Sequence, residues 1–246
     1  MGGWLYYIPY YKWYLIYNKY IKFLSQNPPI FCDKVAVLVY NVIRKKYMSN
    51  HEFIETEILN KPSGSVFIAS DFVDSASYDN VRQIFSRLEN EGKIRRILPG
   101  IYDKPLYSKI LDQEVAPDIN AVAEAIARKN NWSIIPSGNA ALNLLGISTQ
   151  VPAKWEYLSS GDSKDYQIGN ASISFTHRAD KELNRMSTKT ALVIQAIKAL
   201  GEENISEDVI AKFASKLSDA EKAQLLTEAK PTTAWIYEII KKICKA

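Results

Sequence analysis

Residues 70–102 read SDFVDSASYDNVRQIFSRLENEGKIRRILPGIY, and the order of signals in this stretch decides how the chain is read. Ser70 is an N-cap for a short helix over residues 71–75, with Asp71 and Asp74 at the end where the helix dipole favours negative charge. Ser77 or Tyr78 opens a second helix, and Gly92 closes it just past its last turn. Within that helix Val81, Ile84, Phe85 and Leu88 form an apolar stripe at helical spacing. Residues 93–97 and 101–102 flank the turn Leu98-Pro99-Gly100, which predicts a basic hairpin. Ile94 and Ile97 break strict alternation, so a bulge is expected near Arg95-Arg96. Two helices, a tight turn between them and a hairpin after them make the plan of a winged helix-turn-helix. In that plan one helix enters a DNA major groove and the hairpin touches the backbone beside it.

The outer face of the second helix carries Tyr78, Asn80, Arg82, Gln83, Ser86 and Arg87. These are residue types that hydrogen-bond base edges or phosphates: Arg to guanine, Asn or Gln to adenine, Ser to phosphate. Lys93, Arg95 and Arg96 place three cations within four residues of the hairpin, where each phosphate neutralised adds salt-dependent affinity. A polar helix face is also what any solvated helix presents, and many winged helices bind protein. The joint occurrence of Arg82, Arg87, Lys93, Arg95 and Arg96 in an otherwise acidic segment favours DNA. Upstream, Phe53, Ile54, Ile58 and Leu59 fit a short amphipathic helix. Lys61-Pro62-Ser63-Gly64 then stops the chain, and Val66-Phe67-Ile68 fits a short strand.

The net charge of +4 is unevenly placed. Residues 1–47 hold seven Lys and Arg against the single acid Asp33, a net of +6, while 48–110 and 111–246 each come to −1. A nucleic-acid footprint must therefore come from local clustering. The first 47 residues also hold 13 of the 28 aromatics, and Met48 sits where the composition changes. The expectation is that Met48 is the native start and that 1–47 is an extension produced by too early a start. Lys12, Lys19 and Lys22 interrupt its apolar run before it reaches the ~18 residues of a spanning helix, so no membrane partner is expected. Cys32 and Cys244 form no pairing or zinc pattern, which points to a reduced, cytoplasmic setting.

Beyond the hairpin, residues 106–116 read as a connector bracketed by Lys104-Pro105 and Pro117. The domains expected are 48–105, a winged helix-turn-helix, and 106–246, an α+β domain with a helical C-terminal tail. Helical spacing covers 118–129 and 139–145; strands are expected at 132–135, 155–159 and 172–176. From Ser187 the chain turns helical: one helix runs to Gly201, and Ser206, Ser218 and Thr232 cap three more. Ser137-Gly138-Asn139, between a strand and a helix, could hold an anion on backbone N–H groups. Asp162, Asp165, His177, Asp180 and Glu182 match no metal-ligand spacing. No enzyme activity, cofactor or metal is expected.

Two stretches taken together resemble a known family. GKIRRILPGIYDKP at 92–105 ends the winged helix, and IIPSGNAALNLLGISTQVPAKWEYLSSG at 134–161 opens the next domain. The pairing resembles the AbiEi-type antitoxins of type IV, abortive-infection toxin–antitoxin systems, over roughly residues 50–200. That resemblance implies a winged helix that binds inverted repeats in double-stranded DNA of its own promoter and represses it. It also implies a C-terminal domain that opposes a neighbouring nucleotidyltransferase-like toxin without necessarily forming a stable complex, in defence against phage. The family's basic recognition face carries over onto Arg82, Arg87, Lys93, Arg95 and Arg96. The alternatives are a stand-alone winged-helix regulator whose second domain oligomerises or senses an effector, and a nucleic-acid-processing enzyme.

Overall fold

The computed structural model describes residues 49–183 and 185–246, so the expectation that Met48 is the start and 1–47 an extension lies outside the described residues. Ser49 heads α1 (Asn50–Asn60): its hydroxyl accepts the Glu52 N–H while the Glu52 carboxylate accepts the Ser49 N–H, a reciprocal cap. Ile54 and Ile58, four apart, are the helix's buried residues. After the Lys61-Pro62 stop, Gly64 takes a φ of 88° and donates its N–H to the Lys104 carbonyl at 2.7 Å. That bond lies next to the pairing of β1 (Val66–Ile68) with β3 (Ile101–Asp103).

The helix expected over 71–75 is corrected to a 3-10 turn over Ala69–Phe72. Asp71, not Ser70, supplies the cap, accepting the Ile68 N–H at 3.0 Å. α2 (Tyr78–Asn90) starts at Ser77, whose hydroxyl accepts the Asn80 N–H, and buries Val81, Ile84, Phe85 and Leu88 as the stripe predicts. β2 (Arg95–Leu98) pairs antiparallel with β3, and the register shifts between Arg96 and Leu98, where a bulge was expected. The sheet order is β1-β3-β2. Phe67, Phe72, Phe85 and Tyr102 pack edge to face with centroids 5.1–5.9 Å apart and fix α2 over this sheet.

The 106–116 connector folds as a small hairpin, β4 (Tyr107–Ser108) and β5 (Gln113–Glu114), with Ile110 at its tip 95% exposed. α3 (Ile119–Asn130) follows; the Asp118 carboxylate accepts the Asn120 and Ala121 N–H groups, and Asn131 ends it in the left-handed region. Val122 and Ile126 of α3 share one core with Ile68 and Ile101 of the first sheet and with Trp155, Tyr157, Ile173 and Phe175 of a later one. Ile54–Ala246 accordingly form one compact unit.

That later sheet holds β6 (Ile134–Ser137), β7 (Lys154–Ser159), β8 (Lys164–Ile168) and β9 (Ala171–His177), in the order β6-β7-β9-β8. β7 and β9 run parallel; the outer pairs are antiparallel. β8 is absent from the sequence expectation because only Ile168 of its five residues is buried, so an edge strand carries little apolar pattern. Trp132 lies flat against the Gly161 backbone: a Cβ there would stand 2.0 Å from the indole. Gly161→Ala is therefore expected to destabilise by about 1–3 kcal/mol through overpacking, read as a fall in the urea midpoint.

Against the sheet lie α4 (Gly138–Leu144), the short α5 (Asp180–Leu183) and α6 (Thr188–Leu200), and beyond them pack α7 (Glu207–Ser215), α8 (Asp219–Glu228) and α9 (Ala234–Lys245). Leu145, Val193, Ile197, Phe213, Leu225, Ile236 and Ile240 belong to their common core. Ser206 and Ser218 cap α7 and α8 as expected, and Ser187, where helix was expected to begin, caps α6; the cap expected at Thr232 is corrected to Thr233, while Thr232 donates its hydroxyl to the Ala229 carbonyl. The whole is a mixed α+β fold with several helices and three small open sheets.

Glu228 ties α8 to the start of α6. Its carboxylate accepts the Ser187 N–H at 2.9 Å, the Ser187 hydroxyl at 2.7 Å and the Gln224 amide at 2.8 Å. Hydrogen bonds from Thr190 foremost, then Ser187 and Gln224, hold its pKa down to about 2 from 4.5. With the folded value below the unfolded one, this stabilisation is complete above pH 4.5 and is lost as pH falls toward 2. Glu228→Ala is expected to cost about 1–2 kcal/mol near neutrality and to remove that share of the acid dependence, measured by urea unfolding at two pH values.

Candidate nucleic-acid interface

Each residue advances about 100° around a helix, so the buried stripe of α2 fixes what its other sides carry. Asp79, Gln83, Ser86 and Asn90 share the middle of the exposed side. Arg82 flanks them on the side of Tyr78 and Glu89; Arg87 and Asn80 flank them on the other. The side chains of Arg82 and Asp79 are 67% and 87% exposed, with the guanidinium 3.9 Å from the carboxylate, a separation at which water screens the pair heavily.

The β2–β3 hairpin comes to the Arg82 side of this face. Arg96 pairs across the strands with Tyr102, whose ring packs edge-on against Phe85 of α2 at 5.1 Å. Burial pushes the Tyr102 phenol up, and Arg96, Glu89, Arg82 and Tyr78 all act on it electrostatically. Helix and hairpin thus bring Arg82, Arg96 and Tyr78, itself 49% exposed, around one point. Among the described residues Arg96 and Arg87 make no ion pair, and both are exposed.

The other two hairpin cations are committed within the protein. Arg95 donates from Nε to Asp103 Oδ1 (3.1 Å) and from Nη2 to Asp103 Oδ2 (2.6 Å). It also donates to Glu114 and to the Val115 carbonyl, both at 3.1 Å. Asp103 is fully buried, and its contact holds the Arg95 pKa above the usual value. Arg95 therefore fastens β2 to β3 and to β5 through its bonds to Asp103, Glu114 and the Val115 carbonyl. Lys93 is bonded to Glu55 and, at 2.7 Å, to Glu91, which raise its pKa in that order.

Sequence reasoning passed over Asp103, although Ile101 and Asp103 sit two apart in one strand and so share its inward face. It also passed over Lys129, whose ammonium donates to the Pro99 carbonyl at 2.6 Å and adds a cation at the hairpin turn. Arg128 beside it pairs with Asp71 at 3.2 Å.

The other candidates take different places. Gly138 has a φ of 54°, and a Cβ on it would lie 2.5 Å from Glu156 Oε2, so the anion seat at the start of α4 faces the protein's own carboxylate. Among the described residues no three His, Cys, Asp or Glu side chains converge as a metal site. His177 Nδ1 lies 2.9 Å from the Gly161 carbonyl, and the Glu182 side chain lies outside the described residues. No helix of the described residues is long and apolar enough to cross a membrane.

A model of the family of unknown function DUF6088 matches residues 53–225. No curated protein matches. Among solved structures the chain is similar to the RV2827C protein from Mycobacterium tuberculosis, at 10% identity and a TM-score of 0.38, with 80% of this chain and 76% of that chain covered.

Proposed function

The chain belongs to the DUF6088 family, and we propose that its residues 48–105 are a winged helix-turn-helix that binds double-stranded DNA. The observation that carries this reading is geometric: Arg96 pairs across the hairpin with Tyr102, whose ring packs on Phe85 of α2 on the side of the helix that also carries Arg82. Support comes also from the order of helix, strand, turn, helix and hairpin, and from the sheet order β1-β3-β2, whose middle strand carries Tyr102 against Phe85 of α2. In this reading Gln83, Ser86 and Arg82 face base edges, while Arg96 and Lys129 meet the phosphate backbone.

On the resemblance of residues 92–105 and 134–161, the bound DNA is the protein's own promoter, with inverted repeats. The protein is then an antitoxin and autorepressor of a type IV, abortive-infection operon, opposing a nucleotidyltransferase-like toxin. Gel shifts on the region upstream of its gene test the first half. Retention at low salt that fades steeply as salt rises is expected, and no retention at low salt removes the DNA-binding reading. Co-expression with the adjacent gene tests the second: growth arrest by the neighbour, relieved by this protein, is expected. DNA binding without any such relief leaves a stand-alone regulator.

A further inference from the structure

Helices α8 and α9 enclose an open groove of about 370 Å³ lined by Leu226, Thr227, Lys230, Tyr237, Lys241, Cys244 and Lys245. Its size falls in the about 300–1,000 Å³ range of clefts that hold a ligand or an anchoring side chain. Leu226, the Tyr237 ring and Cys244 supply apolar surface, and every charged residue lining it is a lysine. The nearby acid Glu238 is already paired with Lys241. We propose that this groove receives an acidic amphipathic helix of a partner protein, with an apolar side chain seated between α8 and α9 and carboxylates against Lys230 and Lys245.

Charge and surface chemistry select that occupant. The chain's own residues 1–47 carry a net of +6 and are repelled by the lysines. A second copy offering the same groove meets like charge with like, as an isologous pair requires. Nucleic acid fits poorly: no arginine lines the groove, and the face of its one aromatic ring is covered by Lys241 Nζ at 5.4 Å from the Tyr237 centroid. Stacking on that face is therefore blocked. An apolar floor with a cationic rim is the complement of a helix with apolar residues at i, i+3 or i+4 and i+7 and Glu or Asp beside them. The inference is independent of the DNA-binding proposal.

The probe is a fluorescein-labelled helical peptide with leucines at that spacing flanked by glutamates, titrated into the full chain and read by fluorescence anisotropy. A scrambled peptide of the same composition serves as control. Binding about tenfold tighter than the scrambled peptide is expected. Lys230→Glu with Lys245→Glu should weaken it about tenfold or more, with an unchanged thermal midpoint because both lysines are exposed. Thr227→Trp, which fills the groove without altering charge, should weaken it about as much. Equal binding of the scrambled peptide, or insensitivity to Thr227→Trp, overturns the proposal in favour of unspecific charge attraction. Displacement of the peptide by a mixed-sequence oligonucleotide from wild type and from Arg96→Ala alike overturns it in favour of a nucleic-acid groove.

Discussion

Asp103→Ala is expected to lower the unfolding free energy by about 3–5 kcal/mol, the range for removing one partner of a buried ion pair. The carboxylate is fully buried, and the Arg95 side chain it faces is 29% exposed. Removing the acid strands a guanidinium over the core around Ile101, with only Glu114 and the Val115 carbonyl left to hold it. That partial support places the expected loss toward the low end. Replacing both groups by apolar ones, Arg95→Met with Asp103→Leu, should cost less than Asp103→Ala alone, since no charge is left unpaired. Urea unfolding of the three proteins measures both quantities. A loss under about 1 kcal/mol for Asp103→Ala would mean that the pair is solvated rather than buried. Arg95→Ala should accordingly lose any DNA binding together with stability, because it releases the hairpin that presents Arg96.

Short-range signals were legible in the sequence. The stripe of Val81, Ile84, Phe85 and Leu88, the helix starts at Ser77 and Ser187, the caps Ser206 and Ser218, and the bulge beside Arg96 each depend on residues a few positions apart. Long-range partners were not. The apolar spacing of Val122 and Ile126 marks a helix face but cannot say that Ile68 and Ile101, more than fifty and more than twenty residues earlier, cover it. β8 went unseen because an edge strand with one buried residue has no period to read. Arg95 and Arg96 look equivalent as neighbours, yet alternation along β2 sends them to opposite faces. Asp103 across the ladder decides which of the two is taken, and the register that brings it there includes a bulge.

Arg96→Ala and Arg82→Ala are expected to weaken promoter binding in different ways while leaving unfolding unchanged, since neither side chain supports the core. Arg96 stands on the hairpin with no ion pair among the described residues, the position of a backbone contact. Its loss should lower affinity about equally on operator and unrelated DNA and reduce the slope of log affinity against log salt by about 1. Arg82 lies on the helix face that also holds Gln83 and Ser86. Its loss should cost about 1–3 kcal/mol on the operator, much less on unrelated DNA, and relax the preference at one base pair. The distinction depends on geometry rather than on charge, because both variants remove one guanidinium from the same surface around Tyr102. Binding curves on operator and random duplexes at several salt concentrations separate the two effects. Identical losses on both duplexes for both variants would place Arg82 on the phosphates too, leaving Gln83, Ser86 and Asn80 to read sequence. Wild-type affinity and salt slope in both would take α2 and the hairpin off the DNA altogether.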